Sequence, residues 1–219
     1  MSSESHIVVA IDGPAASGKS SVARMVAERL GFVYVNSGAM YRAVTWYVLQ
    51  KGIPTADAAQ VVPLLQTMRI ECGLANKEST IKIDGVDPSP FLDSEPVNQN
   101  VSNIASIPEV RKVLVARQQE YGGHSDVVME GRDIGSVVFP HTPYKFYIDA
   151  SLEVRARRRE KQGLHDEISM RDRRDSSRRA SPLVIAEDAH VIDSSHLTID
   201  GVVGEIIGRL KLKGLKVKC

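Results

Sequence analysis

Apolar and polar positions along this chain alternate between two periods. Short runs rich in β-branched and aromatic residues predict strands at Ile7–Ile11, Phe32–Val35, Asp126–Glu130, Tyr144–Asp149 and His190–Asp193. The segments between them repeat apolar residues at helical spacing. Ser20–Leu30 carries Val22, Met25, Val26 and Leu30, and Ser37–Gln50 sets Met40, Val44, Tyr47 and Val48 on one face. Pro108–Tyr121 opens on a proline and repeats Val110, Val113 and Leu114; Val202–Leu210 repeats Val203, Ile206, Ile207 and Leu210. Strands alternating with helices predict an α/β fold, a parallel sheet with helices on both faces. Ligands of such sheets bind at the carboxyl ends of the strands. The loops after Ile11, Val35, Glu130, Asp149 and Asp193 are therefore expected to face one site.

One stretch interrupts the alternation. Met68–Cys72 and Thr80–Asp84 read as paired strands outside any βαβ unit, and Asp84-Gly85 supplies a turn. Asp87-Pro88-Ser89-Pro90 breaks regular structure, and Ser94-Glu95-Pro96 is expected to cap a helix through Asn98, Val101 and Ile104. Residues 63–105 are thus expected to be an insertion with a small antiparallel sheet.

Chemistry enters at Gly13-Pro14-Ala15-Ala16-Ser17-Gly18-Lys19-Ser20, which fits the G-x-x-x-x-G-K-[ST] phosphate-binding loop. A predicted strand precedes it and a predicted helix follows, the context the motif requires. Glycines let the backbone approach a phosphate closely, N–H groups and the helix N-terminus face the anion, and Lys19 adds a full charge. Ser21 completes the segment expected to bind ATP, and the Ser20 hydroxyl is the candidate Mg²⁺ contact. The bland alternative is a glycine-rich turn with a solvated lysine. A regulatory GTPase would need D-x-x-G, which is absent from the sequence, and N-K-x-D, which fails because Asn76-Lys77 is followed by Glu78-Ser79.

Composition narrows the class without choosing a function. The 219 residues suffice for one α/β domain with an insertion. A net charge of +1 gives no global field for nucleic acid or membrane, and no apolar run is long enough to span a bilayer. The polar start Met-Ser-Ser-Glu-Ser-His is unlike a signal peptide, and Cys72 and Cys219 are poor evidence for a disulfide framework, so a cytoplasmic protein is expected. The basic tail Lys211–Lys218 reads as a solvated end.

The arginines favour a transferase acting on a phosphorylated acceptor. Holding such an acceptor beside ATP requires several guanidinium groups, which bind phosphate bidentately and stay charged. Arg42 lies one turn into the helix after the second strand and Arg132 follows the third. Basic residues crowd between Arg155 and Arg179, and Arg171, Arg174, Asp175 and Arg178 share one face if the segment is helical. The alternative is a solvated face paired with acids such as Asp166, Glu167 and Asp172. RNA binding is a third reading, but no aromatic residues interleave with the arginines.

Four blocks resemble the bacterial cytidylate kinase family: Gly13–Ser21; Asn36-Ser37-Gly38-Ala39-Met40-Tyr41-Arg42; Gly131-Arg132-Asp133-Ile134-Gly135-Ser136-Val137-Val138-Phe139-Pro140; and Arg171-Asp172-Arg173-Arg174-Asp175-Ser176-Ser177-Arg178. They occur in the family's order over most of the chain. The resemblance implies a nucleoside-monophosphate kinase with a five-stranded parallel core, a monophosphate-binding insertion at 63–105 and a helical lid at 151–182. It implies transfer of the ATP γ-phosphate to CMP or dCMP with Mg²⁺. A monomer without nucleic-acid or membrane partners is expected. Carried over by motif, Ser37, Arg42 and Arg132 meet the CMP phosphate. Ser102, Arg111 and Asp133 face cytosine, Arg171 and Asp175 hold the sugar, and Arg178 meets the transferring phosphates. With Lys19 and Arg132, Arg178 forms the expected catalytic set, helped by Arg155 or Arg158 on the ATP side. Asn36 departs from the aspartate that the family often has before S-G-A.

Overall fold

In a computed structural model, residues 6–161, 168–178 and 181–217 are described. The stretch before His6, Asp166, Glu167, Arg179, Lys218 and Cys219, all named above, lie outside those residues. The elements follow in the order β1 Val8–Asp12, α1 Lys19–Leu30, β2 Val33–Asn36, α2 Ser37–Gln50, α3 Ala58–Thr67, β3 Ile70–Ala75 and β4 Glu78–Ile83. Then come α4 Glu95–Ala105, α5 Pro108–His124, β5 Val127–Gly131, β6 Tyr144–Asp149, α6 Leu152–Glu160, α7 Ile168–Ser176, β7 His190–Asp193 and α8 Ile199–Leu212.

The predicted parallel core is present as β2-β5-β1-β6-β7, with β1 between β5 and β6. Period-two alternation in β1 explains why both faces need helices. Val8 and Ala10 enter one apolar cluster with α2, α4 and α5, while Val9 and Ile11 enter a second with α1 and α8. Each fully buried Val or Ile contributes about 1.5–3 kcal/mol, so either face left bare would cost several such increments.

The insertion differs from its expected form. β3 and β4 pair antiparallel, but they extend the main sheet to seven strands because β4 joins the β2 edge at Tyr34↔Glu78. The hairpin turn is Asn76-Lys77, both residues at positive φ, as a tight two-residue turn demands. Asp84-Gly85 makes the expected second turn, closing Ile83 onto Val86. Helix α3, absent from the prediction, crosses the expected 62/63 boundary and carries Pro63 inside it. Ser94 occupies the N-cap of α4 without its hydroxyl capping, and Glu95 and Pro96 fill the first turn.

Candidate active site

Residues that follow β1, β2 and β5 line a 480 Å³ cavity that includes the Gly13–Ser20 loop. Ser194, directly after β7, and Arg155, in the helix after β6, reach that loop outside the cavity wall. Close approach explains Gly13: a Cβ there would sit 2.1 Å from the Ile148 carbonyl oxygen. Gly18, at φ 90°, turns the chain into α1 as its N-cap. No side chain caps that helix and its first turn holds no acid, so its N–H groups suit an external anion. Ala16 adopts φ 58°, a left-handed conformation costly for a residue with a Cβ. Such strain persists where the surroundings over-determine it, as at a ligand site.

The opposite wall comes from α2, α4, α5 and the turn after β5. Asn36 caps α2 by accepting from the Ala39 N–H at 3.0 Å, which gives the asparagine a local role. Ser37 is thereby released from capping; its hydroxyl donates to the Glu130 carbonyl at 2.7 Å and lines the cavity. Arg111 donates to the Asp133 carboxylate, both side chains being buried, and its guanidinium lies 5.3 Å from the Tyr41 ring centroid. Asp175 is a hub: it accepts from Arg132 Nε at 3.0 Å, from Arg178, and from the Ser102 hydroxyl at 3.3 Å. Arg42 lines the same space, with Nε 4.0 Å from Asp93.

Crowded cations leave an electrostatic deficit. Burial, then the neighbouring Arg132 charge, lowers the Lys19 ammonium to about 7, while Nζ donates to the Pro14 carbonyl at 2.9 Å. Burial and Arg132 likewise push Arg171 down to about 10. Burial also lowers Arg42 and Arg178. Burial alone would raise Asp175, but Arg132, Arg178 and Arg171 overturn it and hold the carboxyl below its usual range. A polyanion entering this cavity would restore full charge to Lys19 and relieve repulsion among the arginines.

Most residues expected at the site converge. Ala15, Ala16, Lys19, Ser20, Ser37, Arg42, Ser102, Arg111, Arg132, Asp133, Arg171, Asp175 and Arg178 all line the one cavity. Gly13, Pro14, Ser17, Gly18 and Ser21 belong to the loop and first turn without lining it. Arg155 and Arg158 are placed otherwise than expected. Arg155 donates to the Ala15 and Ala150 carbonyls and to Asp172; Arg158 donates to the Ser17 and Ser194 carbonyls and to the Ser194 hydroxyl. The α6 arginine that lines the cavity is Arg159. The helical face also shrinks, because α7 ends at Ser176, before Arg178, and Arg174 is exposed.

Four cavity-side residues carried no separate signal. Asp12, pushed up to about 7 by burial, accepts the Ile134 and Gly135 N–H groups at 2.8 Å each and ties β1 to the Gly131–Pro140 loop. Glu130 accepts from the Tyr34 hydroxyl at 3.1 Å and lines the cavity, as do Tyr41 and Arg159. Asp12 and Glu130 could have been found as carboxylates ending otherwise apolar strands.

A family model described as "Cytidylate kinase" matches residues 9–212. The chain is 45% identical to a protein named cytidylate kinase from Desulforamulus reducens, over 92% of this chain and 96% of that one. It is 41% identical to one of the same name from Oceanobacillus iheyensis, over 94% and 95%. A solved gluconokinase structure from Sinorhizobium meliloti superposes with a TM-score of 0.49 at 14% identity, covering 95% of this chain and 93% of that one, too distant to bear on the chemistry.

Proposed function

The chain belongs to the cytidylate kinase family, and on that premise we propose that it transfers the γ-phosphate of ATP to CMP and dCMP, releasing ADP and the cytidine diphosphates. The observation that carries the reading is the convergence of Arg42, Arg132, Arg171 and Arg178 with Lys19 on one cavity. ATP is read as bound through the Gly13–Ser20 loop, with its γ-phosphate toward Arg132 and Arg178. CMP is read as lying against α2, α4 and α5, its phosphate at Ser37, Arg42 and Arg132.

Phosphoryl transfer asks the protein for in-line placement and charge neutralisation. The CMP phosphate oxygen is already anionic, so no residue must remove a proton from it. Lys19, Arg132 and Arg178 supply fixed positive charge where the transferring group spreads its negative charge. Ser20 and the buried Glu130 are oxygen donors on this cavity that would hold a hard cation such as Mg²⁺, which would supply positive charge against the ATP phosphates.

Base selection follows from the buried Arg111–Asp133 pair. A carboxylate accepts more than one hydrogen bond, so Asp133 can hold Arg111 and also accept the cytosine N4 amino group. Uracil offers a carbonyl at that edge and would leave two acceptors facing each other, a mismatch of about 1–3 kcal/mol. Arg171 and Asp175 are assigned to the sugar, and Ser102 stays with Arg111 and Asp133 on the base side. Residues 63–105 are read as the monophosphate-binding segment and 151–182 as the lid, which on closing keeps water from the γ-phosphate. A coupled assay with ATP and a panel of nucleoside monophosphates tests the reading. CMP and dCMP are expected to be the best acceptors; turnover favouring UMP or AMP would reassign the acceptor.

A further inference from the structure

Two carbonyls of the phosphate-binding loop accept from side chains that do not line the cavity. The Ala15 carbonyl accepts from Arg155 at 3.2 Å. The Ser17 carbonyl accepts twice, from Arg158 at 3.1 Å and from the Ser194 hydroxyl at 2.9 Å. Ser194 is itself fixed: it is buried, follows β7 directly, donates its N–H to the Asp149 carbonyl at 2.8 Å, and returns its own carbonyl to Arg158 at 2.7 Å. Arg158 and Ser194 thus make one closed clamp around a single backbone oxygen.

In a trans peptide the N–H of the next residue points opposite the carbonyl. Fixing the Ala15 and Ser17 oxygens therefore turns the Ala16 and Gly18 N–H groups away from the clamp, and no cis peptide breaks this relation. Ala16, which follows the clamped Ala15 carbonyl, adopts a left-handed conformation. A charged donor on a carbonyl also polarises the peptide and strengthens the opposite N–H as a donor. We propose that Ser194 and Arg158, with Arg155 beside them, are positioning residues. They set the peptide planes of the phosphate-binding loop before the nucleotide arrives, and they do not themselves bind its phosphates. Cavity contact from α6 is left to Arg159. The inference rests on the reading that this loop holds a triphosphate.

Calorimetric titration with a non-hydrolysable ATP analogue plus Mg²⁺, and separately with CMP, tests it. The proteins are wild type, Ser194→Ala, Arg158→Lys and the double variant. Each single change is expected to weaken the analogue about three- to tenfold, the loss of one or two hydrogen bonds. CMP affinity is expected to stay within about twofold, and the double variant to lose little more than the worse single, because both groups act on one oxygen. Wild-type affinity in Ser194→Ala, equal loss of CMP binding, or a double loss equal to the product of the singles would overturn the inference. If Ser194→Ala is too unstable to titrate, Arg158→Lys decides alone. Lysine keeps the charge but not the fork, so weakened analogue binding supports positioning, whereas retained binding assigns Arg158 to the phosphates. A wild type that fails to bind the analogue would remove the triphosphate reading and this inference together.

Discussion

The two sides of the site, its acceptor wall and the surroundings of the phosphate-binding loop, spend their cations differently. On the acceptor side, buried or half-buried guanidinium groups meet buried carboxylates, Arg111 with Asp133 and both Arg132 and Arg178 with Asp175. On the ATP side, Lys19, Arg155 and Arg158 donate to backbone carbonyls of the loop they surround, with Asp172 alone adding an acid to Arg155. A carboxylate partner fixes a side chain for reading a base or sugar. A carbonyl partner fixes the backbone, and the backbone N–H groups are what a phosphate-binding loop presents. The same residue type thus does two jobs, set by what accepts from it.

The sharpest way to break the contrast is at Lys19, whose Pro14 partner yields to phosphate in the proposed mechanism. Lys19→Ala is expected to lower turnover with CMP about 100- to 1,000-fold, the loss of a preorganised charge at the transferring group. Unchanged turnover in the coupled assay would remove the loop from the mechanism. Next in size is the cost of unpairing. Arg111→Ala strands the Asp133 charge in a buried site and is expected to cost about 3–5 kcal/mol in urea unfolding. Arg158→Ala removes a donor from the Ser194 carbonyl and leaves the Ser17 carbonyl to the Ser194 hydroxyl, with no charge stranded, and is expected to cost about 1 kcal/mol. Equal losses would erase the distinction between the two sides.

A smaller effect is expected in the pH dependence of binding. Lys19 titrates near 7 in the free protein, and a triphosphate favours its charged form, so binding raises that pKa. At pH 6 the group already holds its proton, while at pH 8 binding must take one up. Affinity for the ATP analogue is therefore expected to weaken with rising pH above 7, by up to about tenfold per unit. Calorimetry at pH 8 in buffers of different ionisation enthalpy should register proton uptake. Asp12 titrates over the same range, and Lys19→Ala separates the two, since uptake that survives the variant would not belong to Lys19.

Much of this was legible in the chain. The parallel strands and the helices between them follow from apolar period, and β6, α2 and β7 match their predicted bounds; β6 buries a continuous run and α2 a clear stripe, while β7 buries Ile192 alone. The loop was legible because close backbone approach to a phosphate needs glycines at fixed spacing, and the G-R-D block was legible through its resemblance to the family's own block. Three features were not. Whether β3 and β4 form their own sheet or extend another depends on one pairing, Tyr34↔Glu78, far apart in sequence. Helix α3 contains Pro63 and has one fully buried residue, Val61, so its pattern is weak. The destination of each arginine between 155 and 178 depends on the acceptor folded against it. Spacing places Arg158 and Arg159 side by side, yet one grips Ser17 and the other lines the cavity.

The central claim is that cytosine is read by a carboxylate that Arg111 holds in place. It is tested most directly by the ratio of kcat/KM for CMP to kcat/KM for UMP in wild type and in Asp133→Asn. The account predicts that the ratio falls about ten- to a hundredfold in the variant, through loss with CMP more than gain with UMP. A ratio that stays at its wild-type value would contradict it and place base recognition elsewhere in the cavity.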